Sequence, residues 1–165
     1  MREHKNNQLY SQSAIIFIFL LILLSGCAIG KKAKIRQRKV DAIVGTARSY
    51  IGTPYKWGGT QRTGMDCSGL LYVSFKAAGI TIPRVSKAQS KEGKMVKFSK
   101  LKSGDLVFFA MSKRRRKITH VGLVTEVRGR NDVRFIHASS SLGVIEANIH
   151  TKYYTKKFRK ARRYF

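Results

Sequence analysis

The side chains most able to do chemistry here are the thiol of Cys67 and the imidazoles of His120 and His137. A thiol nucleophile needs a base to take its proton, and the base needs a third group to fix its ring. The run 67–78, with Leu70, Leu71, Phe75 and Ala78 at helical spacing, reads as an amphipathic helix closed by Gly79. Asp66 stands where an N-cap belongs, so Cys67 falls in the first turn. Unpaired backbone N–H groups and the helix dipole favour negative charge there, and a nearby imidazolium adds to the effect. The charge of Asp66 opposes it.

Of the four histidines, His4 belongs to the leader, and His150 sits in a polar stretch that reads as surface. His120 opens a strand-like run over 119–127, and His137 lies within another over 133–138. In a hairpin whose loop centres between Arg128 and Gly129, the two histidines stand opposite one another on one face, roughly 5 Å apart at Cβ. A one-residue slip would part them. A metal site built from Cys67, His120, His137 and Asp66 is a competing arrangement, but no short ligand spacing supports zinc.

These groups need a scaffold. Val40, Ile43, Val44, Ala47, Tyr50 and Ile51 mark a first helix over 40–51, ended by Gly52 and Pro54. A short helix is expected near 86–92. Runs rich in β-branched and aromatic residues then follow at 105–110, 119–127, 133–138, 143–147 and 158–164, separated by turn residues. Helices first and strands afterwards imply an α+β fold, with N-terminal helices packed on an antiparallel sheet of about five strands.

The chain has 165 residues, 43% of them hydrophobic and 10% aromatic, which suits one folded domain rather than a disordered chain. Its 34 Lys and Arg against 8 Asp and Glu give a formal charge of +26, attractive to any polyanion. The address chooses among them. Arg2 and Lys5 precede an apolar run over 14–24 that is shorter than the about 20 residues a spanning helix needs and suits an export signal. Leu24, Ser25, Gly26 and Cys27 resemble a bacterial lipobox, in which the cysteine takes a diacylglycerol and becomes the first residue. Ala28 after it favours the outer membrane, facing the periplasm, if the host has two membranes. The expected organisation is a lipoprotein signal over 1–26, a lipidated basic tether over 27–39 reaching on the order of 40 Å, and a catalytic domain over 40–165. Export leaves nucleic acid out of the expected partners, and it leaves Cys67 without a disulfide partner if Cys27 carries lipid.

The segments GTPYKWGG at 52–59, DCSGL at 66–70, GITIPR at 79–84 with Gln89, GDLVFF at 104–109, HVG at 120–122 and FIHA at 135–138, in this order, resemble the NlpC-type family of bacterial cell-wall cysteine peptidases, which have a papain-like fold. The resemblance covers most of 40–165. It implies that Cys67 attacks an amide in a peptidoglycan stem peptide, with His120 as base and His137 as orienting residue, and without a cofactor. It also implies that Tyr55 helps hold the oxyanion beside the backbone N–H of Cys67, and that Asp66 and Ser68 contact the stem peptide. The basic run Lys113, Arg114, Arg115, Arg116 and Lys117 departs from the family pattern and is a candidate contact for anionic wall or lipid. Two other functions compete: a non-catalytic wall- or lipid-binding lipoprotein, and a thiol-dependent amidase or acyltransferase of the same fold. Cys67 preceding the histidines favours the peptidase.

Overall fold

In the computed structural model, residues 30–112 and 117–165 are described. The expected signal and lipobox, with Cys27, and residues 113–116 of the basic run lie outside them. The chain divides into two units at residues 38 and 39, and the second, Lys39–Phe165, carries the fold described below.

Helix α1 spans 30–48, ten residues earlier than its apolar period suggests. Lys, Ala, Arg and Gln are good helix formers, so the part of the expected tether over 30–39 is helical without an inward-facing stripe. Among the described residues, no helix is long and apolar enough to cross a membrane. Within the second unit, Val40, Ile43, Val44 and Ala47 of α1 are buried together with Leu70, Leu71 and Phe75 of α2 (Cys67–Ala77). A two-stranded ribbon, β1 (Thr60–Gln61) and β2 (Gly64–Met65), leads into α2, and the four-residue α3 (Ser86–Gln89) follows it.

The main sheet has six antiparallel strands rather than five, in the order β3-β8-β4-β5-β6-β7. These are β3 (Lys94–Val96), β4 (Leu106–Phe109), β5 (His120–Gly129), β6 (Asp132–Ser139), β7 (Gly143–Asn148) and β8 (Phe158–Arg163). The additional strand β3 is a short edge strand with two exposed residues, so no inward alternation marks it in the sequence. Helix α4 (Lys152–Lys157) precedes β8.

Both faces of the sheet are covered, which explains why β4 is apolar at every position. Leu106, Phe108, Val121, Leu123 and Ile136 face the helices. Val107, Phe109, Val124, Phe135 and Ala161 pack on the other side with Leu101 and Ile149. Asp105, fully buried, accepts two hydrogen bonds from Arg163 (2.6 and 2.7 Å) and one from the Lys102 N–H (2.8 Å), tying β8 to the start of β4.

Candidate active site

Asp66 caps α2 as expected, with Oδ1 accepting from the Gly69 N–H at 2.6 Å. Its remaining capacity is filled. Ser68 Oγ and Arg84 Nη1 also donate to Oδ1 (3.1 and 2.9 Å), while the Gly58 N–H and Arg84 Nη2 donate to Oδ2 (2.9 and 2.8 Å). Arg84 further donates to Ser68 Oγ and to the Gly59 carbonyl, so one guanidinium holds the 58–59 loop against the start of α2. Gly69 is required at this junction, since a Cβ there would strike the Gly59 carbonyl. Burial pushes the Asp66 carboxyl up, but the hydrogen bonds from Arg84 and Gly69 and the charge of Arg84 outweigh it and hold the group below the usual carboxylate range.

Cys67 is a buried free cysteine with 7% of its surface exposed. The backbone N–H groups of Val121, the residue after His120, and of Ser68 and Cys67 itself favour the thiolate, as a helix start should. Burial dominates them, however, and with a smaller push from Asp66 it raises the thiol to about 11. The expected lowering of this group is therefore corrected, because desolvation outweighs the helix start.

His120 Nε2 lies 2.9 Å from His137 Nδ1, and the two rings are nearly perpendicular. The expected register is off by two. Leu123 pairs with Ile136 and Val124 with Phe135, so the histidines are diagonal neighbours rather than directly opposed. The turn sits at residues 130–131, and two irregularities, between Val124 and Glu126 and between Val127 and Gly129, each shift the pairing by one. An even shift preserves the face, so the rings still meet. Gly122 permits the crowding between the strands: a Cβ there would lie 2.5 Å from the Phe135 ring and 2.9 Å from the Ile136 carbonyl.

Both imidazoles are buried, at 8% and 2% exposure. Burial, helped by repulsion from His137, lowers His120 to about 3, and burial lowers His137 to about 4. Phe135 stacks on His137 at 5.0 Å, and Tyr154 Oη lies 2.9 Å from His137 Nε2. Tyr154 is the functional candidate that sequence reasoning missed. Its position on a short, polar α4 carries no motif, and only the sheet brings it to His137.

Tyr55 lines the same groove as His120, His137 and Tyr154, a cavity of about 430 Å³. Burial and the proximity of Cys67 and Asp66 raise its phenol. Ser68 is brought to the Asp66 and Arg84 network rather than to the groove wall. His150 is only half-buried surface: its ring packs edge-on against Phe98 at 5.0 Å, away from the other histidines. Of the basic run, only Lys117 is described, and it is exposed. Among the described residues, no three His, Cys, Asp or Glu side chains are grouped to hold a metal ion.

The family model described as the NlpC/P60 family matches residues 52–163. The probable endopeptidase NlpC of Escherichia coli is 34% identical over 155 residues, covering 90% of this chain and 97% of that protein. A γ-D-glutamyl-L-lysine dipeptidyl-peptidase of Bacillus cereus is 36% identical over 124 residues, or 75% of this chain, which spans only 36% of that relative's length. A Staphylococcus aureus crystal structure, described as similar to lipoprotein, NLP/P60 family, superposes with a TM-score of 0.66 at 32% identity, covering 77% of this chain and 41% of that one.

Proposed function

The chain belongs to the NlpC/P60 family, and from that premise we propose that it is a cysteine endopeptidase acting on peptidoglycan stem peptides through Cys67, His120 and His137. The observation that carries this reading is the 2.9 Å contact between His120 Nε2 and His137 Nδ1, on the strand whose next residue, Val121, acts through its N–H on the Cys67 thiol. With Nε2 engaged by His137, Nδ1 is the ring nitrogen left for the thiol. For Nδ1 to be a base, Nε2 must carry the proton and donate it to His137 Nδ1. His137 then carries its own proton on Nε2 and donates to Tyr154 Oη.

Burial favours the neutral forms, thiol and imidazole. In this mechanism the proton passes from Sγ to His120 as the sulfur attacks the amide carbonyl, so the two charges form together and offset each other. The carbonyl oxygen takes up negative charge, met by the Cys67 N–H and the Tyr55 hydroxyl. His120 then protonates the leaving amine, the C–N bond breaks, and water hydrolyses the thioester. Asp66, Ser68 and Arg84 hold the nucleophile's helix start.

Incubating purified peptidoglycan with the protein should release peptide fragments whose masses identify the bond cut: γ-D-glutamyl–diamino acid within a stem or D-alanyl–diamino acid between stems. Cys67→Ala should release none. Intact peptidoglycan with the native protein, or equal release by both, would end this reading.

The address belongs to the same proposal. Export and lipidation at Cys27 would place the domain in the cell envelope, with the basic run 113–117 against anionic wall or lipid. Labelled lipid should appear on the native protein and not on Cys27→Ser. Replacing 113–117 with serines should weaken sedimentation with wall at low salt.

A further inference from the structure

A second pocket adjoins the groove beside the histidines. Met111, Ser112 and Tyr153 line both, and the far wall of the second, of about 700 Å³, includes Lys156, Lys157 and Arg159. Two of these cations are held in place. Lys157 Nζ lies 4.5 Å over the Tyr153 ring and donates to the Met111 carbonyl, and Arg159 Nη1 donates to the carbonyls of Phe158 and Lys156. Lys156 is exposed at the end of α4. Among the described residues, no Asp or Glu lines either pocket. Lys156 and Lys157 thus face one concavity, and a concave wall focuses their field.

We propose that this pocket is an anion subsite of the reaction groove, taking a carboxylate of the peptide substrate. The inference rests on the peptidase reading for its ligand, though not for its geometry. The shared wall is what favours a peptide over a phosphate polymer or lipid headgroup, because one molecule must pass Tyr153 to occupy both the groove and the cationic pocket. Ammonium and guanidinium donors hold a carboxylate through charge-assisted hydrogen bonds, which an amide forms less strongly.

The probes are L-Ala-γ-D-Glu-L-Lys as the free acid and the same peptide with one or the other carboxylate amidated. Binding to the full-length Cys67→Ala protein should weaken by about tenfold on amidating one of them. Lys156→Gln in that background should bring the acid-to-amide ratio close to one, while Lys156→Arg should retain it. Thermal melts and Lys156→Gln/Lys157→Gln check that lost preference is not lost fold. Equal affinity for acid and amides, a preference that survives both Gln variants, or inorganic phosphate competing against peptides that show no acid preference would overturn the subsite. Cleavage by the native protein is read separately: Cys67-dependent cleavage without acid preference keeps the peptidase and removes the subsite. Acid preference without cleavage does the reverse.

Discussion

Tyr154 Oη and His137 Nε2 are 2.9 Å apart, which makes the tyrosine the far end of a chain running through His137 to His120. Phe135 packs against both, stacked on the imidazole and edge-on to the phenol. In the proposed relay the hydroxyl accepts from His137 Nε2–H. Tyr154→Phe removes it while keeping the ring, so kcat should fall by about tenfold, ~1.4 kcal/mol in barrier, with KM little changed. Steady-state kinetics on a stem peptide checks this. An unaltered kcat would leave Tyr154 as packing alone.

The histidines also set a pH dependence of stability. Their folded values, about 3 for His120 and about 4 for His137, lie below the 6.5 of the free side chain. Below pH 6.5 the unfolded chain takes protons that the folded chain refuses, so stability is complete above 6.5 and declines as pH falls toward 4. Asp66, held below its usual range, adds its loss only at more acidic pH. Melting temperatures between pH 7 and 4 should show this slope, and His120→Gln/His137→Gln should flatten it. Parallel slopes for the two proteins would contradict the assignment.

Arg84 offsets the carboxylate next to the nucleophile. Arg84→Ala leaves a mostly buried Asp66 without its cation and should cost roughly 3 kcal/mol of stability at neutral pH, part of which Asp66→Asn should restore. The uncompensated charge should also push the Cys67 thiol higher. Iodoacetamide labelling of Arg84→Ala, followed by mass spectrometry, should be slower than in the native protein at pH 8.

At Gly122 the expected effect is steric. Gly122→Ala places a methyl against the Phe135 ring and the Ile136 carbonyl, and overpacking of this kind costs about 1–3 kcal/mol. Chemical denaturation measures the loss. Because Phe135 also stacks on His137, activity should fall further than the small change in folded population explains.

Much of this site was legible in the sequence because its parts obey local rules. Asp66 before an apolar helical period gave the cap and the place of Cys67, and the assumed hairpin register, wrong by an even number, still put both histidines on one face. What escaped was non-local. Arg84 and Tyr154 reach their partners from segments too short to show a period, and the thiol's elevation comes from burial that no neighbouring residue announces. The start of α1 was missed for the opposite reason, since residues 30–39 are helical by propensity without an apolar face to reveal it.

The paired irregularities at the β5 and β6 hairpin constrain how this segment can vary. Thr125 and Arg128 are the extra residues of β5 at these two points, so loss of either one would close an irregularity and leave the pairing of Leu123 with Ile136, and with it the facing of the two imidazoles, as it is. A single residue lost between His120 and Leu123 has no such slack and would turn the His120 ring to the side facing the helices.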